Sequence, residues 1–397
     1  MSTVILLVGT TIVLALLVKS GFERVGVPPL IGYLFIGFLL PLADLRWGIL
    51  STEVRKAYEF LVNIGIICLL FEVGIKSNLP GLIRQLRRAS GIWITNIFIS
   101  GVLGFVTSYF LLALELIPSL FISVALTATS VGVSVAIWRE AKALNSPNGE
   151  LMLDIAELDD LSGIILMASL FTIAPVLKDG ANTALFLVLA KTSGLFLFKL
   201  IIFATFCFLF SRYAEHPLTG FFQKIESPPD SMIMIAGIGF IIAALSSLLG
   251  FSVAIGAFFA GLIFSRDPEA VKMGSSFTTL YDFFTPFFFI GIGLNIDPST
   301  LTTALGLGGI LLGVAVLGKV IGTCAPALIT VGWASSLLLG ISMIPRAEIA
   351  MVIMERGHAL GGWAVPSQVF SAMAVVVAGT CIISPFILRS LLQRWPQ

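Results

Sequence analysis

The sequence predicts an all-α polytopic membrane protein with thirteen transmembrane helices, built from two inverted-topology repeats of six helices with crossed broken helices. Three observations predict this fold. First, 57% of the 397 residues are hydrophobic and only 11% are charged, whereas a soluble domain carries about 25% charged residues. Second, the apolar residues form thirteen separate stretches of membrane-spanning character. Third, stretches at corresponding places in the two halves carry helix-breaking or hydroxyl-rich interruptions.

Short polar loops separate the apolar stretches. Their approximate limits are 3–20, 29–41, 57–75, 89–113, 118–138, 150–174, 183–211, 231–248, 251–265, 276–294, 301–329, 334–355 and 364–393. Most Lys and Arg residues follow odd-numbered stretches or the last one. Because cytoplasmic loops carry the excess of basic residues, we expect an external N-terminus and a cytoplasmic C-terminus. We expect a bacterial inner membrane as the location and no soluble regulatory domain.

Composition also excludes several classes of protein. The formal net charge is +1, which argues against a nucleic-acid partner. The four cysteines, Cys68, Cys207, Cys324 and Cys381, all lie inside apolar stretches without paired spacing. They are therefore predicted to be core residues and not disulfides or metal ligands, and no cofactor is expected. The N-terminus lacks a basic region before its apolar stretch, so that stretch is predicted to be retained as a span.

The most unusual stretch is 150–174, which carries four carboxylates between residues 154 and 160 inside an otherwise apolar segment. One charge at the bilayer centre costs about 2.5–3.5 kcal/mol on insertion scales, so several together need a function. On a helix, Asp154, Glu157 and Asp160 fall within about 120° of one another. Asp159 lies about 100° away from Asp160. We therefore expect one aspartate to contact a partner helix while the other faces a water-filled cavity.

An internal similarity predicts the repeats. Residues 31–37 and 255–261 both follow an Ile-Gly-x-x-x-x-Gly pattern and would be the second members of stretches 1–6 and 8–13. An offset of seven spans inverts the topology of the second set. Such patterns also arise from ordinary helix packing, so this similarity alone leaves both interpretations open.

The fifth member of each set indicates broken helices more strongly. Residues 125–134 are rich in hydroxyls and contain Gly132 at mid-depth, while 340–350 contain Pro345 beside Arg346 and Glu348. Corresponding interruptions predict half-helices whose ends face each other at a substrate site. The alternative is an intact fifth span whose hydroxyls bond back to carbonyls one turn earlier. Arg346 and Glu348 are two residues apart, so they do not face each other on a helix. A structural role, in which they balance the charge of the broken-helix ends, is therefore favoured over direct ion binding.

Other charged residues in the spans need partners as well. Lys319 lies about 15 Å from the nearer end of its span, which is too far to reach water easily, so a buried pair with Asp159 or Asp160 is expected. That pair would be either functional or a static salt bridge. Glu72 either lines an ion funnel or pairs with Lys76 at i+4.

Two other classes of function are considered. Tyr281-Asp282 is compatible with an intramembrane aspartyl protease, but the sequence 291–295 lacks the second aspartate which that chemistry requires. A passive cation channel would favour a ring of residues from symmetric subunits over one asymmetric Asp–Asp–Lys cluster.

The motifs resemble the monovalent cation:proton antiporter superfamily over nearly the whole chain. They are Ala-Leu-Thr-Ala-Thr-Ser-Val-Gly at 125–132, Leu-Asp-Asp-x-x-Gly at 158–163, Gly-x-x-x-x-x-Gly-Ala-Phe-x-Ala-Gly at 250–261, Pro-Phe-Phe-Phe-Ile-Gly-Ile-Gly at 286–293, Gly-Lys-x-x-Gly at 318–322 and Pro-Arg-Ala-Glu at 345–348. Adjacent aspartates with a lysine resemble the NapA-type electrogenic sodium/proton antiporters. Potassium-efflux relatives usually have Gln-Asp, and K⁺/H⁺ exchange is the alternative function. Glu157 departs from the apolar residue common there, which leaves the proton stoichiometry open.

The resemblance implies an NhaA-like homodimer embedded in lipid. Spans 1–3 and 8–10 would form a dimerisation part, spans 4–6 and 11–13 an ion-transporting core, and 183–211 the linking helix. Within the ion-transporting core, Asp160 would bind Na⁺ (or Li⁺) and H⁺ alternately, because a carboxyl group removed from water holds a proton when no cation is bound.

The same mechanism assigns roles to the remaining polar residues. Oxygens of Thr127, Thr129 and Ser130 would complete the cation site. Asp159 would bind and release Lys319, and a proton lost from the lysine would make exchange electrogenic. Glu157, Asp154 and Glu72 would form an ion funnel. Alternating access to the two sides would drive the exchange.

Overall fold

The computed structural model describes residues 2–76, 79–179, 185–214, 217–218, 220–221, 230–265 and 268–397. These residues are helical apart from the connections. The helices, labelled α1 to α15 here, are α1 Ser2–Val25, α2 Pro29–Trp47, α3 Thr52–Lys76, α4 Leu79–Val106, α5 Leu116–Thr127, α6 Val131–Glu140, α7 Pro147–Lys178, α8 Leu185–Tyr213, α9 Asp230–Leu248, α10 Val253–Phe264, α11 Pro268–Leu294, α12 Leu301–Val331, α13 Trp333–Ser342, α14 Glu348–Leu360 and α15 Ser367–Arg394.

Every predicted apolar stretch corresponds to one helix or to two consecutive helices. Stretch 118–138 is the pair α5 and α6, and stretch 334–355 is the pair α13 and α14. Residues 183 and 184, at the start of the seventh predicted stretch, lie outside the described residues. Within the described ranges, eight helical segments are long and apolar enough to cross a membrane, and shorter apolar helices lie in the other five stretches, where Trp333–Ser342 covers only the first part of 334–355. The count of thirteen crossings and the inverted repeats stay predictions.

The chain divides into two compact units. The first comprises Met1–Leu50, Leu82–Ala174 and Ile290–Gln397, and the second comprises Ser51–Gly81 and Pro175–Phe289. In the first unit, α12 packs along α15 and α13, α5 packs on α14, and α6 packs on α15. In the second unit, α10 packs against α3, α8 and α9. Both broken pairs, and α7 as far as Ala174, therefore belong to the first unit. The functional division into a dimerisation part and a transporting core stays a prediction.

Glycine contacts set the closest approaches between helices. A Cβ on Gly163 of α7 would lie 3.2 Å from Ile349 Cγ2 and 3.8 Å from Ala128 Cβ. Gly163 follows the two aspartates by one turn, so it brings this part of α7 against both broken pairs. Small residues allow such close packing because helices in a membrane gain association energy mainly from van der Waals contact.

Candidate functional site

The site is built where the two broken pairs meet. The first break is 128–130, between α5 and α6, and the second is 343–347, between α13 and α14. Across them, the backbone N–H of Ser130 donates to the carbonyl of Pro345 at 2.7 Å. One turn into α6, Ser134 Oγ donates to the Ser342 carbonyl at 2.6 Å. The breaks therefore supply hydrogen-bond partners to each other, as irregular backbone at membrane depth requires.

Gly132 lies in the first turn of α6 and not in the break itself. The break starts at Ala128, which has extended backbone angles (φ −66°, ψ 150°). It is therefore stabilised by hydrogen bonds between the two chain segments and not by the conformational freedom of a glycine. Pro345 has the role of acceptor for Ser130, and its missing N–H removes a donor at this depth.

Arg346 lies within the second break and is fully buried. Its guanidinium donates to the carbonyls of Ile344 at 2.6 Å, Leu126 at 2.9 Å and Ala315 at 3.0 Å. The carbonyls at the C-terminal end of α5 have no helical partners and carry partial negative charge. Arg346 thus satisfies the broken helix ends. Glu348, in the first turn of α14, accepts a hydrogen bond from Ser130 Oγ at 2.8 Å.

Asp159 is fully buried and accepts three hydrogen bonds on a single oxygen. Its Oδ2 receives Asn96 Nδ2, Thr129 Oγ1 and Lys319 Nζ, each at 2.7 Å. Its Oδ1 has no hydrogen-bond partner in the described part of the chain. Of the two adjacent aspartates, it is therefore Asp159 that forms the buried ion pair with Lys319.

Lys319 reaches this pair from α12 and is fully buried. Its Nζ also donates to the Thr127 carbonyl at 2.6 Å, at the open end of α5. One ammonium group therefore does two things at once: it neutralises the Asp159 carboxylate, and it donates a hydrogen bond to a carbonyl at the broken-helix end. Thr127 Oγ1 donates to the Val124 carbonyl at 2.7 Å, which is the local back-bonding typical of threonine in membrane helices.

Asp160 differs from its neighbour in exposure and partners. It is 9% exposed, and none of the hydrogen bonds or ion pairs within the described ranges reaches its carboxylate. A buried carboxylate without a partner is costly. Binding of a cation or a proton to Asp160 would remove this cost, so the environment of Asp160 is suited to either ion.

The remaining predicted residues lie elsewhere on the helices. Asp154 and Glu157 are half-buried in α7, N-terminal to the aspartate pair. Glu72 of α3 belongs to the second compact unit and forms an ion pair with Lys76 at 2.6 Å. The structure thus contains the predicted i+4 pair, and the ion-funnel role of these three carboxylates stays a prediction.

Sequence reasoning missed Asn96 and the polar groups of α15. Asn96 was detectable as an amide inside the apolar stretch 89–113. Thr380 accepts the Arg346 backbone N–H at 3.2 Å, and Cys381 Sγ donates to the Arg346 carbonyl at 3.1 Å. These contacts depend on tertiary packing, which no local pattern specifies.

Comparison with known proteins identifies the family. The sequence model described as "Sodium/hydrogen exchanger, transmembrane" matches residues 10–394. The chain belongs to this family, within the monovalent cation:proton antiporter superfamily. This sodium/hydrogen exchanger family member is a multi-pass membrane transporter that exchanges a monovalent cation for H⁺. It is not an enzyme and works without a cofactor.

Individual relatives support the assignment of the chain to this family. It is 29% identical to an Na⁺/H⁺ antiporter of Enterococcus hirae, covering 92% of each chain. It is 27% identical to the high-affinity Na⁺/H⁺ antiporter NhaS3 of Synechocystis, covering 91% of this chain and 77% of NhaS3. It is also 27% identical to the Na⁺/H⁺–K⁺ antiporter GerN of Bacillus cereus, covering 92% and 90%.

A solved structure shares the fold. The sodium proton antiporter MjNhaP1 from Methanocaldococcus jannaschii superposes with a TM-score of 0.68, covering 98% of this chain and 96% of MjNhaP1. The sequence identity is 15%, so this likeness concerns the fold alone.

Proposed function

We propose that this antiporter exchanges Na⁺ for H⁺ and that Asp160 is the group for which the two ions compete. The observation that carries the proposal is the difference between the adjacent aspartates. Asp159 is held by three donors, whereas Asp160 retains slight exposure and no hydrogen-bond partner in the described residues. Occupancy of one carboxylate by either ion couples their movements without a separate gate.

Oxygens of the first break would complete the cation site. Na⁺ has to exchange water for other oxygen ligands, and hydroxyl oxygens keep lone pairs when they donate their own hydrogen. Thr129 donates its hydrogen to Asp159, and Ser130 donates its hydrogen to Glu348. Their oxygens therefore keep lone pairs that could bind a cation. The Thr127 carbonyl accepts a hydrogen bond from Lys319 with one of its two lone pairs, so the other would be available to a cation.

Electrogenic exchange would follow from the buried pair. When the contact between Lys319 and Asp159 breaks, the Nζ–H bond releases its proton to water on the open side, and the electron pair stays on nitrogen. Together with the proton carried by Asp160, this would move two protons for each Na⁺ and one net charge. Alternating access by a moving core, in a homodimer within a bacterial inner membrane with a cytoplasmic C-terminus, completes the proposal.

The experiment is cation-driven proton flux in proteoliposomes. Asp160→Asn should abolish the flux, whereas Glu150→Gln, an isosteric neutralisation at the exposed start of the same helix, should leave it unchanged. Substantial exchange by the Asp160 variant refutes its role as carrier. Current that persists with no countertransported ion would identify a channel.

The same vesicles test the cation and the charge movement. Na⁺, Li⁺ and K⁺ are compared over a range of pH, and a larger K⁺ response would favour K⁺/H⁺ exchange. GerN, which is named for both cations, makes K⁺ the appropriate comparison. Lys319→Gln should make residual exchange insensitive to membrane voltage. Full voltage sensitivity in this variant would exclude the lysine as the second proton site.

A further inference from the structure

Three buried oxygens near the Lys319–Asp159 pair form no hydrogen bond with any residue that the structure describes. They are Asn96 Oδ1, Ser100 Oγ and Asp159 Oδ1, and their residues are at most 2% exposed. Buried polar groups of native proteins nearly always have a partner, which is another protein group or an ordered water. We propose that these three oxygens bind one internal water molecule where α4 meets α12. The inference concerns the hydration of the core and does not depend on which ions are exchanged.

The contact between α4 and α12 brings Asn96 and Ser100 to the level of the ion pair. A Cβ on Gly318 would lie 3.0 Å from Ser100 Cα and 3.4 Å from Ser100 Oγ. A Cβ on Gly322 would lie 2.8 Å from Asn96 Cα. Lys319 lies between these two glycines in the sequence. Asn96 and Ser100 are four residues apart, so they are neighbours on one face of α4, and the Ser100 hydroxyl lies at the α12 contact.

The Ser100 hydroxyl differs from most hydroxyls in membrane helices. Such groups commonly donate to the carbonyl one turn earlier, as Thr95 of the same helix does to the Gly91 carbonyl at 2.8 Å. Ser100 Oγ makes no hydrogen bond of this kind, nor any other within the described ranges. Its O–H group is therefore available to a ligand at the contact between the two helices.

The Asn96 amide connects this hydroxyl to the ion pair. Its Nδ2 donates to Asp159 Oδ2 at 2.7 Å, so the second oxygen of each of these planar groups lies next to a bond that is already made. A bridging water joins atoms up to about 5.6 Å apart, which is twice an O···O hydrogen-bond length. One water next to the Asn96 amide can therefore bind both Oδ1 atoms and Ser100 Oγ, which gives it the usual number of about three hydrogen bonds.

Water suits these three groups better than a cation does. Asn96 Oδ1 only accepts, and the Ser100 hydroxyl can donate. Asp159 Oδ1 needs a donor if the carboxyl group is ionised and an acceptor if Oδ1 is protonated. Water can donate and accept, so it fits either form of Asp159. A cation would lie close to the Lys319 ammonium, which is 2.7 Å from Asp159 Oδ2, and the two positive charges would repel each other.

The test is the sign of the stability change in Ser100→Ala, measured as the midpoint of thermal unfolding in detergent. This variant removes one partner of the bound water, so the midpoint should fall by about 1–2 °C. If Ser100 Oγ were a buried hydroxyl without any partner, its removal should raise the midpoint, and that result would overturn the inference. Ser371→Ala is the matched control, because Ser371 is buried on α15 and its Oγ also lacks a partner in the described ranges. An equal fall in both variants would likewise contradict a water specific to this site.

A second variant tests whether Ser100 and Asn96 share the water. Asn96→Leu keeps the side-chain volume and removes Oδ1, so in this background Ser100→Ala should no longer lower the midpoint. The two side chains form no direct hydrogen bond, so additive losses in the double variant would refute a shared water. A cryo-EM map that resolves ordered waters tests the wild-type protein without any substitution. Density should lie about 2.7–3.1 Å from Asn96 Oδ1 and Ser100 Oγ, and a map that shows other internal waters but none here would overturn the proposal.

Discussion

Replacing one member of the Lys319–Asp159 pair tests the electrostatics of the site most directly. Nζ and Oδ2 are 2.7 Å apart, and both side chains have 0% exposure. Lys319→Met keeps most of the side-chain volume and leaves the Asp159 carboxylate buried without its cation. Asp159→Asn leaves the ammonium without a carboxylate, with the Thr127 carbonyl and the new amide oxygen as neutral acceptors.

The structure ranks the expected losses of stability. Removing one partner of a buried ion pair costs about 3–5 kcal/mol. In Lys319→Met, Asn96 and Thr129 still donate to the buried carboxylate. In Asp159→Asn, the Thr127 carbonyl and the new amide oxygen still accept from the buried ammonium. We therefore expect each single variant to lose about 3–5 kcal/mol. The double variant buries no unpaired charge, and it should lose less than either single variant.

Thermal unfolding in detergent between pH 5 and pH 9 provides the assay. The destabilisation of the two single variants should change with pH in opposite directions. In Lys319→Met the cost comes from the ionised carboxylate, so protonation at low pH should reduce the destabilisation. In Asp159→Asn the cost comes from the charged amine, so deprotonation at high pH should reduce it. The same pH trend in both single variants, or additive losses in the double variant, would refute a buried ion pair.

Three further predictions concern helix contact, the broken ends and ion competition. Gly322→Ala should destabilise the protein by about 1–3 kcal/mol and slow exchange, because the new Cβ would meet the α4 backbone at 2.8 Å. The control is Gly313→Ala on the same helix, where a Cβ has open space. This variant should have unchanged stability, or gain up to about 1 kcal/mol, in the same thermal assay. Arg346→Lys keeps the charge but loses the planar donor fork to the Leu126 and Ala315 carbonyls, so we expect at least about 2 kcal/mol of destabilisation, and wild-type stability would contradict this role. Competition at Asp160 predicts that apparent Na⁺ affinity in solid-supported-membrane recordings falls about tenfold per pH unit once the pH is below the value at which Asp160 is half-protonated. Affinity that stays independent of pH down to the acidic limit of transport would exclude competition.

Composition and the lengths of the apolar stretches predicted the helices well because a bilayer restricts the possible backbone structures. Backbone at membrane depth has to satisfy its own hydrogen bonds, so each apolar stretch has little alternative to a helix. The stretch 251–265 corresponds to Val253–Phe264, and 150–174 corresponds to Pro147–Lys178. The longer observed helix starts at Pro147 because proline is tolerated in the first turn, where no N–H is needed.

The sequence identified the charged residues of the site and limited the partner of Lys319 to two aspartates, without deciding between them. A buried lysine requires a carboxylate, and the angular separation of Asp159 and Asp160 indicates that only one can face it. Which aspartate forms the pair depends on how α7 is rotated against α12, and local pattern contains no such information. Asn96 was missed for the same reason, since a single amide in an apolar stretch gives no direction.

Glycine contacts give an argument for the inverted repeats that the sequence similarity alone did not provide. Gly37 of α2 touches Gly293 of α11 within the first unit, and Gly261 of α10 touches Gly74 of α3 within the second unit. In each pair a Cβ on either glycine would lie at about 3 Å or less from the other's Cα. The sequence similarity aligns Gly37 with Gly261, and an offset of seven spans relates α3 to α11. The two contacts are therefore the same contact under the proposed symmetry, made once as α2 on α11 and once as α10 on α3. Ordinary helix packing explains either glycine pair, but it gives no reason for the partners to be exchanged in this reciprocal way.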